Sequence, residues 1–299
     1  MKILLFGKSG QVGWELQRSL APLGEVVALG SGAENGLCGD FMDDAGVAAT
    51  IRAVRPDAIV NAAAYTAVDK AESEAEAAAQ VNAVTPGVIA VEAARLGAWL
   101  VHYSTDYVFD GSGSRPWRED DPTGPLSVYG RTKLAGEERI VAANPRHLVL
   151  RTSWVYGARG GNFAKTMLRL ARERERLTVI DDQHGAPTGA DLLADVTAHA
   201  LRSAAAGTAP AGIYHVAAAG ETTWNGYARF VLGQAQQAGQ ALKAGPEQVE
   251  RVPTSAFPTP ARRPHNSRLD TSRFRAAFGL VLPPWEQGVA RMLQETLTT

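Results

Sequence analysis

One cysteine, Cys38, is all that 299 residues contain. That excludes a disulfide framework within the chain and a multi-cysteine metal site, and it fits a reducing compartment, so the cytoplasm is expected. Net charge is nearly absent too. With 30 basic residues against 31 acidic ones, the chain lacks the electrostatic footprint of a nucleic-acid or membrane-surface binder, and any partner must be recognised locally. No apolar run approaches the roughly 18 residues that a membrane span requires, and the N-terminal MKILLFG has too little basic and apolar content for a secretory signal. Fixed-period repeats and low-complexity tracts are missing as well. What remains, 45% hydrophobic and 20% charged residues, is the balance of a soluble globular protein with a sizeable core.

Short apolar runs alternate with longer amphipathic stretches: KILLFG then QVGWELQRSLAPLG, EVVALG, then VAATIRAVRP and DAIVNAAA, and later GAWLVHYST and RHLVLRTSWVYG. Continuous apolar runs are strands buried on both faces, so the rhythm predicts an α/β fold with a mainly parallel, doubly wound sheet of Rossmann type. Ligands of such sheets sit at the carboxyl ends of the strands. The run Ala71–Ala79 reads as plain helix. Past residue 155 the rhythm loosens, and after Gly220 come Pro-rich loops such as VPTSAFPTPARRPHNSRLD, with aromatic and basic residues able to line a site. The expected division is a dinucleotide-binding domain over 1–154 and 186–219, with a smaller, discontinuous substrate-binding lobe over 155–185 and 220–299.

Gly7, Gly10 and Gly13 follow the first apolar run and open a helical pattern. A turn there needs conformations and close approaches that a Cβ would block, and the helix N-terminus offers unpaired N–H groups to a pyrophosphate. At the end of the second strand, where an acid would hold the adenosine ribose of NAD, stands Gly30. Space at Gly30, with Lys8 nearby, suits a 2′-phosphate, so NADPH is expected, with NADH also usable. Asp40 and Phe41 are candidates to contact the adenine, or residues that merely cap a loop.

In LSVYGRTK, Tyr129 and Lys133 lie four residues apart and so share a helix face. The chemistry that needs such a pair is protonation of a carbonyl during reduction: a free tyrosine holds its proton too tightly near neutrality, and a neighbouring ammonium lowers its pKa. A YxxxK pair alone is weak evidence. Upstream, however, VHYSTDYVFDG is an apolar run ending in Ser104, Thr105 and Asp106, placed to open at the cofactor edge with a hydroxyl for the substrate oxygen. Thr105, Tyr129 and Lys133 thus form the constellation that carbonyl reduction uses.

Together these residues resemble the extended short-chain dehydrogenase/reductases, and GKSGQVGWEL, NAAAYTAVDKAE, VHYSTDYVFDG, SVYGRTKLAGE, RTSWVYG, NFAKTMLRLA and DDQHGAPTGADLLAD, in that order, are similar to the dTDP-4-dehydrorhamnose reductase family. The resemblance implies hydride transfer from NADPH or NADH to the C4 ketone of dTDP-4-dehydro-L-rhamnose, the last step of dTDP-L-rhamnose synthesis for polysaccharides. Tyr129 would be the proton donor, Lys133 would hold the nicotinamide ribose, and Thr105 would bind the sugar or tune the tyrosine. Carried over from the family, cofactor contacts fall on Gly10, Gln11, Val12, Asp40, Phe41, Ala64, Tyr65, Thr66 and Tyr103, and substrate contacts on Thr105, Asp106 and Trp154. Gly30 departs from the family's frequent acid, and Tyr65 stands where other members carry histidine. Some members bind Mg²⁺ at a dimer interface. The matching acids are Glu15, Asp191 and Glu295, and the resemblance implies a homodimer.

Arg262, Arg263 and Arg268 are either cations for the nucleotide diphosphate or solvated loop charge. His184 and His265 lie in loops without metal-ligand spacing, and RLARERERL reads as a solvated helix face. A nucleotide-sugar 4,6-dehydratase or epimerase would share the fold and the Tyr/Lys pair, but a dehydratase needs Asp then Glu after the threonine, and here Tyr107 follows Asp106. A non-catalytic NADP-binding regulatory subunit, such as those of methionine adenosyltransferase, would more naturally have lost the tyrosine or the lysine.

Overall fold

The structure is a computed structural model that describes residues 1–297. Eight strands of four or more residues follow along the chain: β1 (Lys2–Phe6), β2 (Glu25–Leu29), β3 (Ala58–Asn61), β4 (Trp99–Thr105), β5 (His147–Thr152), β6 (Leu177–Ile180), β7 (Gly212–His215) and β8 (Val249–Val252). Six of them form one sheet in the order β7-β5-β4-β3-β1-β2, with every neighbouring pair parallel. In β1, β3 and β5 almost every side chain is buried, the consequence of helices on both faces.

Among the described residues, nine helices of seven or more residues accompany them: α1 (Gln11–Leu20), α2 (Asp44–Val54), α3 (Thr85–Leu96), α4 (Val128–Ala143), α5 (Phe163–Glu173), α6 (Ala190–Ala205), α7 (Trp224–Gln237), α8 (Ser272–Phe278) and α9 (Trp285–Leu297). Leu16 and Leu20 of α1, Leu193 and Leu201 of α6 and Phe274 of α8 pack on one face of the sheet with Ile3, Val60 and Leu148. Val47 and Ile51 of α2, Ile89 and Ala93 of α3 and Ile140 of α4 cover the other, against Leu4, Ile59 and Val149. The chain leaves β1 for β2 on one side and then crosses to β3 on the other. That reversal opens a crevice at the carboxyl ends of β1 and β3.

A third apolar cluster lies outside the sheet: Leu168 and Ala171 of α5, Leu177 and Val179 of β6, Tyr227 and Val231 of α7, Val249 of β8, and Trp285 and Val289 of α9. There β6 and β8 pair in parallel. Side chains cap the helices that matter for the site. Ser127 accepts from the Gly130 N–H at the start of α4, Asn162 from Lys165 at α5 and Thr223 from Gly226 at α7. The stretch Ala71–Ala79 is not one helix. Val68–Ala71 closes before Glu72, and a second helix, Ala75–Ala79, widens into a π turn over Gln80–Val84 before becoming α3. Pro86 has no N–H to offer the Asn82 carbonyl four residues back, which accounts for the widening.

Candidate active site

The turn after β1 meets the turn after β3. Gly7 has φ 87°, and a Cβ on it would stand 2.6 Å from Ala63 N, so only glycine lets the two backbones close. Gly13 packs within α1 against the Gly7 carbonyl. Gly10 is the N-cap of α1 and makes no side-chain cap bond, leaving the first N–H groups, at Gln11 and Val12, free for an anion. Beside this turn a cavity of about 300 Å³ is lined by Gly7, Gly10, Gly30, Asp40, Phe41 and Ala64, with Ser9 and Ser31. Phe41 packs edge-on against Phe6 at 5.4 Å. At Gly30 a Cβ would find only the Ser9 hydroxyl at 3.5 Å and the Lys8 stem at 3.9 Å. The Lys8 ammonium is paired with Glu34.

A larger cavity of about 690 Å³ continues from the same turn. It is lined by Gly10, Gln11 and Val12 from the glycine turn, Ala64 and Thr66 after β3, Tyr103, Thr105 and Asp106 from the end of β4, Tyr129 and Lys133 of α4, and Trp154 after β5. Tyr129 arrives there because α4 begins one residue earlier, at Val128. Ser127 caps it, the Glu72 carboxylate accepts from Val128 N at 2.7 Å, and Gly130 lies so close to the Tyr107 carbonyl that a Cβ would stand 2.3 Å from it. Burial, with the nearby Asp106 charge, pushes the Tyr129 hydroxyl up to about 12, while the neighbouring Thr105 hydroxyl pulls the other way. Burial pushes Lys133 the other way, down to about 8, while the Glu137 charge resists.

One expectation requires correction. The Lys133 ammonium does not draw the phenol down, because its Nζ is directed at the Tyr103 carbonyl, 2.6 Å away, and at His102 Nε2, 3.1 Å away. The tyrosine therefore moves upward, as burial dictates.

At the far end Trp154 holds φ 49°, a strained conformation for a bulky residue that its surroundings must impose. Its ring stacks on Trp224 with centroids 3.8 Å apart and planes within 17°. Trp224 in turn donates from Nε1 to Gln183. Between the two ends lies Asp106, 2% exposed. Oδ1 accepts from Thr105, Oδ2 has no partner within hydrogen-bond distance, and burial raises the carboxyl to about 7 against the nearby Ser267 and Thr105 hydroxyls, which lower it. An orphaned buried oxygen facing this cavity is suited to a substrate hydroxyl.

Not every predicted residue joins these cavities. Tyr65 turns away: its hydroxyl donates to Glu74, and its backbone exchanges two hydrogen bonds with Asn82. The Mg²⁺ site is not supported. Glu15, Asp191 and Glu295 line one small cavity of about 40 Å³, but Arg291 stands 3.7 Å from Asp191 and 3.3 Å from Glu295, and Arg18 pairs with Glu15. A guanidinium thus takes the place of the cation, and no cluster able to hold a metal exists among the described residues. Arg263 pairs with Asp69 and Arg268 with Glu221. His184 and His265 join each other through their backbones.

Sequence reasoning missed Trp224 and Arg159, both lining the large cavity: Trp224 lies far along the chain from the motifs, and Arg159 falls in the gap between two of them. It also missed Asn82, whose amide joins the Tyr65 backbone to Thr132 between the tyrosine and the lysine. Pro86, four residues after Asn82, was the available signal for that π turn.

Comparison with known proteins bears on this arrangement. The sequence model of the RmlD substrate binding domain matches residues 1–298. The chain is 59% identical over 299 residues to the dTDP-4-dehydrorhamnose reductase of Salmonella typhimurium, covering 100% of this chain and 99% of that protein. A solved dTDP-4-dehydrorhamnose reductase of Clostridium acetobutylicum superposes with a TM-score of 0.89 at 32% identity, covering 98% of this chain and 99% of that one. The Bacillus anthracis enzyme, solved in complex with NADP, gives 0.88 at 32% identity over 99% of each chain.

Proposed function

The chain belongs to the dTDP-4-dehydrorhamnose reductase family of extended short-chain oxidoreductases, and from that premise we propose that it reduces the C4 ketone of dTDP-4-dehydro-L-rhamnose to dTDP-L-rhamnose, with Tyr129 as proton donor. The observation that carries the proposal is one continuous cavity: the open N-terminus of α1, the Thr105–Tyr129–Lys133 group and the paired tryptophans all line it. The residues present fit a dinucleotide. A Cβ at Gly7 would collide with the Ala63 backbone, Gly10 leaves the N-terminus of α1 without a side-chain cap, and Phe41 and Asp40 flank the adjoining cavity. When bound, NADPH or NADH supplies the hydride.

The protein's own part is positioning and proton supply. Thr105 lies beside the phenol and lowers its pKa, opposing burial. With its pKa pushed up to about 12, Tyr129 stays protonated at neutrality and is therefore in the donor form. An alkoxide developing at C4 approaches the basicity of hydroxide, whose conjugate acid titrates near 15.7, so transfer from this phenol runs downhill. Asp106 offers its unpartnered Oδ2 to a sugar hydroxyl. The ring faces of Trp154 and Trp224 suit a deoxysugar or thymine.

The reading also places the reaction last in dTDP-L-rhamnose synthesis, on a nucleotide-sugar substrate. No helix among the described residues is long and apolar enough to cross a membrane. Oxidation of NADPH and of NADH with dTDP-4-dehydro-L-rhamnose, wild type against Tyr129→Phe, tests the proposal. General acid catalysis contributes about 10²- to 10⁴-fold, so kcat in the variant should fall by that factor while NADPH binding persists. Absence of wild-type turnover, or a variant as fast as wild type, would overturn it.

A further inference from the structure

Behind Lys133 lies a buried chain of polar groups that the reduction reading leaves unused. Asn61, at the end of β3, and His102, inside β4, are both 0% exposed, and Lys133 is 2% exposed. Asn61 Oδ1 accepts from Ala63 N at 3.0 Å, which fixes the amide's orientation, because a flipped amide would set its NH2 against that N–H. Asn61 Nδ2 therefore donates to His102 Nδ1, at 3.0 Å. An imidazole whose Nδ1 accepts carries no proton there, and a neutral ring then carries its one proton on Nε2. Burial, together with the Lys133 charge, holds His102 well below its ordinary pKa and so keeps it neutral.

That Nε2–H faces Lys133 Nζ at 3.1 Å. Against an ammonium the contact is donor against donor. Against a free amine it is a hydrogen bond from His102 to Lys133, and the amine still donates to the Tyr103 carbonyl at 2.6 Å. We propose that Asn61 and His102 act as a tautomer lock that favours the neutral amine of Lys133, making His102 a positioning residue that sets the proton state of the lysine. This rests on the reductase reading only for its kinetic consequence.

The other groups facing Lys133 do not undo the lock. Glu137, one turn along α4, favours the ammonium, but it is paired with Arg151 of β5 at 2.7 Å and burial outweighs it. The Tyr103 hydroxyl is shared with Thr197 of α6. Burial, with the Asp106 charge, keeps Tyr129 neutral. Where the working state needs an ammonium beside the cofactor ribose, the lock lowers the pH at which that state is lost. Two substitutions release it in the same direction. His102→Gln presents an amide oxygen that accepts from the ammonium. Asn61→Asp accepts a hydrogen bond from a protonated Nδ1 and so turns Nε2 into an acceptor.

The experiment is ¹⁵N NMR of histidine-labelled wild-type protein near neutral pH, followed by pH profiles of kcat/KM for both variants. The expected spectrum shows His102 with an unprotonated Nδ1 and a protonated Nε2. In each variant the basic limb of the profile should move upward by about one pH unit, equivalent to about tenfold more activity well above the limb. A protonated Nδ1 in the wild type would overturn the lock whether or not the enzyme turns over. The expected tautomer with a basic limb unmoved in both variants would overturn its control of Lys133. Failure of wild-type turnover counts against the reductase reading alone, since the spectrum needs no substrate.

Discussion

The two ends of the catalytic cavity are built by different means. At the glycine end, backbone meets backbone: Gly7 against Ala63 and Gly13 against Gly7. At the tryptophan end, side chains from separate segments meet, with Trp154 after β5 stacked on Trp224 of α7 and Trp224 tied to Gln183. The first is a shape set by missing atoms, so an added methyl breaks it. The second is a surface made of large rings, so a lost ring thins it while the sheet stands. Asp106 lies between them as the one deeply buried carboxyl lining this cavity, and the two ends should answer differently to mutation and to pH.

The largest expected effect belongs to that carboxyl. Burial raises it to about 7 from an ordinary 3.8. The folded protein therefore holds a proton that the unfolded chain has released between those two values, and stability falls as pH rises through that window. Complete ionisation corresponds to a loss of about 4 kcal/mol, an upper figure at 1.36 kcal/mol per pH unit. Asp106→Asn should flatten the decline in Tm between about pH 4 and 7 and leave NADPH binding intact. Differential scanning fluorimetry across that range checks it, and a parallel decline in variant and wild type would remove Asp106 as the cause.

Next comes the glycine end. A Cβ at Gly13 would stand 2.0 Å from the Gly7 carbonyl oxygen, and relief of such overpacking costs about 1–3 kcal/mol. Gly13→Ala should weaken NADPH binding by about 10- to 100-fold, followed by nicotinamide fluorescence, with the stacked tryptophans undisturbed. The opposite pattern is expected from Trp224→Ala. Loss of an aromatic partner removes about 0.5–1.5 kcal/mol beyond area burial, so KM for the nucleotide sugar should rise about 3- to 10-fold at constant NADPH affinity. Equal effects of the two substitutions on both ligands would erase the contrast between the ends.

Legibility in the sequence followed the same contrast. The glycine loop, the parallel sheet and the Tyr129–Lys133 pair are written in contiguous residues whose period and spacing carry their geometry. Trp224 lies 70 residues beyond Trp154, and no local pattern joins them. His102 was hidden because a strand buried on both faces reads as one apolar run, VHYS, in which a satisfied polar residue leaves no period. Asn82 sat beside an alanine-rich stretch whose helix propensity masked the π turn. The return of α8 to the sheet through Phe274 was equally silent, since one short amphipathic helix does not say which core receives it.

The smallest effect expected is at Gly30, where the glycine end can be sharpened without adding a clash. A new Cβ there meets nothing closer than the Ser9 hydroxyl at 3.5 Å, so Gly30→Asp should fold normally. Its carboxylate would stand at the end of β2, where the 2′ position of the adenosine ribose is held in this fold. It would accept from a 2′-hydroxyl and repel a 2′-phosphate. The nearby Lys8 is already committed to Glu34, so little of the new charge would be neutralised there. Water reaches this rim of the cavity and screens the interaction, which limits it to about 1 kcal/mol. The ratio of kcat/KM for NADH to that for NADPH should therefore rise by about fivefold, measured with both cofactors at one ionic strength. An unchanged ratio would mean that β2 does not set cofactor choice, leaving discrimination to Lys8 and its partner Glu34.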